Sequence, residues 1–217
     1  SFETAKDLTL ELLGATTMIN FDVAYGDLEA SSNVTISESA VLNAQRDLTL
    51  QSVADTEIVI GASTSFLSFF NAFMKNADDP SSVLLSIPAA SVIVGLTDST
   101  AEVDVRGTLA TKGDLTIASD SILTAELAAS TDTMGSSQFL AALSVGIFNA
   151  SATTDVQAKS ITISDDPNNL SNVTIRANQK NNVETEAFVG VAKGSYGGIS
   201  VNYTELKTSA NVNFVGS

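Results

Sequence analysis

The chain has 217 residues, with 25 Asp+Glu against 10 Lys+Arg, a formal net charge of -15 and a pI near 4.1. It contains no Cys and no His. That excludes disulfides, thiolate chemistry, His general bases, His triads and His- or Cys-ligated metals. A surface this acidic also repels nucleic acid and anionic membranes.

Hydrophobic residues make up 44% of the chain but charged residues only 16%, where about 25% is typical. Small hydroxyl residues fill much of the difference, with 28 Ser and 23 Thr. Three Pro and 13 Gly are too few for a collagen-like or Pro-rich chain, and the apolar content is too high for disorder. No apolar run is long enough to span a membrane as a helix. The opening Ser1-Phe2-Glu3-Thr4 does not read as a signal peptide, which leaves open a mature or excised piece of an exported protein.

In chain order, the first element is Ala5-Lys6-Asp7-Leu8-Thr9-Leu10, where Leu8, Leu10 and Leu12 alternate with Thr9 and Glu11. Asn33-Val34-Thr35-Ile36 follows, then Asp47-Leu48-Thr49-Leu50, which repeats the first cassette. Period-two alternation of Leu, Ile or Val with Thr predicts half-buried strands. The next segment breaks the period. Phe66, Phe69, Phe70 and Phe73 stand at i, i+3, i+4 and i+7, which predicts a helix near 65–75 within an insert at 64–80, capped by Ser65 and stopped by Asp78-Asp79-Pro80.

Val94–Val105 then aligns with Val145–Val156 at an offset of 51, with five of twelve positions identical. Between them lie the cassette Gly113-Asp114-Leu115-Thr116-Ile117 and a predicted loop from Thr131 to Ser137. Ser160-Ile161-Thr162-Ile163 reads as a fourth cassette, Asn172-Val173-Thr174-Ile175 as a cousin, and Gly198–Phe214 as a looser copy of the longer block. Successive cassettes begin 40, 67 and 46 residues apart.

Self-similarity at about 50 residues, in short strands with few aromatics, predicts an all-β fold: one parallel β-solenoid over residues 1–217. A β-sandwich is the alternative. In the solenoid, Leu8, Leu10, Leu48, Leu50, Leu115, Ile117, Ile161 and Ile163 point inward, while Thr9, Thr49, Thr116 and Thr162 point outward.

The texture of Ala101–Ser119 and Leu143–Ser164 resembles the stalk repeats of large bacterial surface adhesins: filamentous-haemagglutinin-like, leukotoxin-like and autotransporter passenger proteins. The resemblance implies a right-handed parallel β-helix on the cell exterior. It brings no catalytic motif and no site residues.

Candidate chemistry is sparse. The Thr residues invite an ice-binding face, but each cassette offers one outward Thr among varied neighbours, as expected of good strand formers. Carboxylates are the remaining catalytic groups, as in β-helix enzymes that cleave polysaccharides. Asp78-Asp79 and Asp165-Asp166 each precede Pro, which is turn chemistry, and Asp104 with Arg106 makes a surface ion pair. Neither an RTX nonapeptide nor an EF-hand loop is present, so Ca²⁺ has an acidic surface but no nominated ligands, and no cofactor is expected. Five Asn-x-Ser/Thr sequons are close to chance for this composition. No Walker or dinucleotide fingerprint occurs.

The expected role is a non-catalytic stalk or assembly element, extracellular or at the cell surface. Its partners would be stacked copies of itself or further repeats of a longer chain, with a surface glycan also open. Interface candidates are Phe66, Phe69, Phe70 and Phe73, which pad the solenoid's side or dock a neighbour, and Val212 and Phe214 in the final strand. The alternatives are a carbohydrate-binding or carbohydrate-cleaving β-helix, including a phage tail-spike type, and an ice- or surface-binding solenoid.

Overall fold

The computed structural model describes residues 2–13, 20–65, 89–132, 139–163, 171–190 and 197–215. These form eleven strands: β1 (Phe2–Leu13), β2 (Asn20–Ile36), β3 (Val41–Ala44), β4 (Leu48–Ser65), β5 (Ala89–Val105), β6 (Thr108–Thr111), β7 (Leu115–Asp132), β8 (Phe139–Val156), β9 (Ser160–Ile163), β10 (Val173–Gly190) and β11 (Gly197–Phe214). Every pairing is parallel. Two long sheets, sheet I (β1-β4-β7-β10) and sheet II (β11-β8-β5-β2), are joined by the short sheet III (β3-β6-β9). The chain cycles II, III, I through three coils, and each coil lays its strands on those before it. This is a parallel β-solenoid, and the all-parallel ladders exclude the antiparallel sandwich.

The offset of 51 holds residue for residue, with Val94 opposite Val145 and Val105 opposite Val156. The block at 198–214 stacks on β8 in the same columns, Phe214 opposite Val156. Two cassette equivalences need correction. Ile161 pairs with Leu109 in sheet III, and the residues that stack on Leu115-Thr116-Ile117 are Val173-Thr174-Ile175. Leu8 pairs with Ile58 rather than Leu48. A three-residue period-two string fits any strand, and each coil has three strands to match.

The inward pattern holds at Leu50, Leu115 and Ile117, which are buried, while Leu48, Ile161 and Ile163 are half-buried. Thr49 and Thr162 are exposed and Thr116 half-buried. The side chains of Leu8, Thr9 and Leu10 lie outside the described residues. So does the stretch from Phe66 to Pro80 that carries the helix expectation; its first two positions, Thr64 and Ser65, are strand. Thr131, expected in a loop, is instead a buried residue of β7, and its hydroxyl donates to Ala141 O at 2.7 Å.

Sheets I and II enclose two apolar clusters. One contains Ile58, Ile60, Leu123, Leu127 and Phe148; the other, beside sheet III, contains Val103, Val105, Leu109, Leu115, Ile117 and Val156. Each such side chain contributes about 1.5–3 kcal/mol by leaving water. Between the clusters the interior narrows to Ala and Ser. There Ser52 donates to Ser32 O at 2.8 Å, Ser121 to Ser99 O at 3.1 Å, and the hydroxyls of Ser119 and Thr154 meet at 2.8 Å. These small hydroxyl residues let the sheets approach closely while their buried oxygens bond to the opposite sheet, although the hydroxyls of Thr56, Thr97 and Ser144 are buried without a partner.

Candidate functional site: outer faces and an open end

Alternation along each strand sends every second residue outward, and in-register stacking turns those residues into rows that run along the solenoid. On sheet I one row is Thr49, Thr116, Thr174, and the adjacent row is Gln51, Ala118, Arg176. A single Thr row beside mixed neighbours is not the flat double array an ice-binding face needs. The next row carries Asp120, only 8% exposed. It accepts from Gln51 Nε2 at 2.9 Å and from both Arg176 Nη atoms at 2.5 and 2.8 Å. Its charge is fully met within the sheet.

Sheet II is divided along its strands. Its C-terminal half is polar outside. Arg106 Nε donates to Asp104 at 2.6 Å and its Nη2 to Asp155 at 2.7 Å. The surface pair expected at Asp104 and Arg106 is therefore a three-residue bridge across two coils, in which one guanidinium offsets part of the repulsion between two stacked carboxylates. Asn213 adds a bond to Asp155 at 2.9 Å.

The N-terminal half of the same face is apolar. Val23, Val92, Leu143 and Val201 form one row; Tyr25, Val94, Val145 and Tyr203 form the next. The third row is Asp27, Leu96, Ile147, Glu205, and the fourth is Glu29, Asp98, Asn149, Lys207. Tyr25 and Tyr203, 56% and 51% exposed, stand on the outermost strands. Each tyrosine hydroxyl donates to the carboxylate two residues on: Tyr25 to Asp27 at 3.3 Å and Tyr203 to Glu205 at 3.2 Å. Lys207 Nζ meets Glu205 at 2.7 Å. Lys207 first and then Tyr203 hold Glu205 below the usual carboxylate range, while partial desolvation, then Asp27, raises the Tyr25 hydroxyl. Shallow recesses of about 300 and 370 Å³ cross this face around Asp98 and Asn149. Among the described residues no group of three or more acids is arranged to hold a metal ion.

Among the described residues no strand lies beyond β10 and β11 at the end of the stack. Inward-facing Leu206, Val212 and Phe214 are 41%, 49% and 54% exposed, whereas the residues beneath them, Phe148, Thr154 and Val156, are fully buried. Val212 and Phe214, expected at an interface, both lie on this end. Phe66, Phe69, Phe70 and Phe73 lie outside the described residues, as do Asp78-Asp79 and Asp165-Asp166.

No family model, curated protein or solved structure matches the chain. The apolar rows of sheet II escaped sequence reading because Val92-Ile93-Val94 is apolar on both faces, so period two is invisible there. The signal was at Leu143–Ile147, where Leu143, Val145 and Ile147 alternate with Ser144 and Gly146, and it is the apolar set that faces out.

Proposed function

We propose that the chain is a structural, non-catalytic segment of an extracellular adhesin or filament, a stalk element lengthened by further coils. The open end supports this reading best. Leu206, Val212 and Phe214 leave apolar side chains unburied on the edge strand β11, while the rest of the same coil turns Gln179, Asn181, Thr185, Asn202 and Thr204 inward. Such an edge pairs with another strand when one is supplied. Coils from a longer chain or from a second copy would bury those apolar side chains and add their own neighbour terms to the stability of the stack. The acidic surface keeps long arrays soluble and separate.

Sedimentation of the chain at rising concentration, with hydrogen exchange on β10 and β11, tests the reading. Growth into multimers with new protection of both strands is the expected outcome. A chain that stays monomeric at high concentration, with β10 and β11 already protected by its own residues, would overturn it.

A further inference from the structure

Sheet II carries a second surface, distinct from the open end. Its two apolar rows are near-palindromes across the four strands: Tyr25, Val94, Val145, Tyr203 and Val23, Val92, Leu143, Val201. The third row keeps the symmetry, with a carboxylate at each end and Leu96 and Ile147 between. The fourth runs from acid to base, Glu29 to Lys207. A closed two-fold interface requires such a self-complementary patch. We propose that the outer face of sheet II pairs with the same face of a second copy of this chain, about a two-fold axis parallel to the strands.

That axis keeps position along the strand and reverses the strand order. Tyr25 then faces Tyr203 of the second copy, Val94 faces its Val145, and Glu29 faces its Lys207, which also stands beside the like-charge meeting of Asp27 with Glu205 of the second copy. The alternative in-plane axis, along the solenoid, lays apolar rows on the hydroxyl row of Ser31, Thr100, Ser151 and Ser209, or halves the overlap if shifted to avoid it. Four strands about 4.8 Å apart and 18 residues of about 3.3 Å give the whole face roughly 1,100 Å²; its apolar half is about half of that, which is below the roughly 800 Å² per partner of a standard interface and in the range of a weak, concentration-dependent pairing. The apolar rows supply the desolvated part and the polar rows beyond them the wet side. The two solenoids run antiparallel, so pairing leaves both open ends free.

The absence of native cysteine makes the test direct. Within one chain, positions 25 and 203 are three strand spacings apart, about 14 Å, while facing sheets pack about 10 Å apart, so a bis-maleimide with a reach between the two spans joins copies and not positions within a copy. The double variant Tyr25→Cys/Tyr203→Cys of the full chain, treated with that reagent, should give a covalent dimer and nothing larger; each single variant should give none. Val94→Lys, at the centre of the face, should abolish the dimer in sedimentation with the circular dichroism unchanged, and Tyr203→Glu should do the same from the edge. A ladder of multimers insensitive to Val94→Lys would overturn face pairing while leaving end-to-end growth standing. Cross-linking by a single variant would overturn the two-fold. A chain that stays monomeric at high concentration would overturn the proposal as well.

Discussion

Asp47 Oδ1 accepts a hydrogen bond from the backbone N–H of Asp114, one coil and 67 residues away, at 2.9 Å. Asp114 Oδ1 repeats the contact on Asn172 N at 2.7 Å. Both bonds sit where the chain enters sheet I, just before Leu48, Leu115 and Val173. A carboxylate on each coil therefore fixes the height and register of the coil above it. Gly113 lets the turn close, since a Cβ there would lie 2.1 Å from Asp47 Oδ1 and 2.9 Å from its backbone nitrogen.

Asp114→Ala removes that charge-assisted bond and should cost about 1–2 kcal/mol, the range of a lost helix cap. Asp114→Asn keeps an acceptor and should lose less. Urea unfolding of the two variants makes the comparison; equal stabilities would reject the register role.

Gly26, Gly95 and Gly146 stack in one inward column of sheet II. The space they leave is filled by Leu127 and Phe148: a Cβ on Gly95 would lie 2.7 Å from Leu127 Cδ2, and one on Gly146 would lie 2.5 Å from the Phe148 ring. Gly146→Ala should therefore destabilise by about 1–3 kcal/mol through overpacking. Adding Phe148→Leu should recover part of the loss. A thermal melt of the double variant no better than that of the single would show that the clash is not with the ring.

Asp120 has Arg176 and Gln51 as its partners on sheet I. Arg176→Met leaves a mostly buried carboxylate with one neutral donor. Because the arginine itself is partly exposed, the expected cost is about 1–2 kcal/mol, below that of a fully buried pair. Denaturation of Arg176→Met beside Arg176→Met/Asp120→Ala tests it, the double variant being the more stable.

The legible part of this fold is the part where strand length and core chemistry agree. Val94–Val105 and Val145–Val156 could be aligned without coordinates because identical residues recur at inward Gly95, Ala101 and Val105 as well as at outward Val94 and Asp104. The Leu-Thr-Ile cassettes misled because β4 is 18 residues long, and its distal Ile58-Val59-Ile60 answers Leu8-Thr9-Leu10 as well as the proximal Leu48-Thr49-Leu50 does. Ser160, in place of an Asp or Asn before Ile161, was the sign that this copy belongs to sheet III. The hydroxyl contacts across the interior could not be read from sequence, since a buried Ser and an exposed Ser are the same letter until the facing sheet is placed.

The Glu205–Lys207 pair sets the pH behaviour of the exposed β11 face. Glu205 titrates below its ordinary value, so its contribution is present above the unfolded carboxylate pKa, about 4.3, and is lost as pH falls through the lowered folded value. Lys207 titrates above its ordinary value, so its contribution is present below the unfolded pKa and is lost as pH rises through the raised folded one. Carboxyl NMR titration should show Glu205 moving upward in Lys207→Met, and less so in Tyr203→Phe. An unchanged Glu205 titration in Lys207→Met would remove the lysine as the main cause.

The unequal coil offsets have a mechanical reading. Sheet II advances by 69, 51 and 58 residues from one strand to the next. Pulled along its axis, a parallel stack yields by peeling one coil at a time, because each coil is held chiefly by its neighbour's ladder. At about 3.4 Å per extended residue, the releases would be roughly 230, 170 and 200 Å. Each rupture would pay out slack of its own length, so a force trace would identify which coil had let go, and a tethered segment would absorb a tug in graded steps rather than snapping taut.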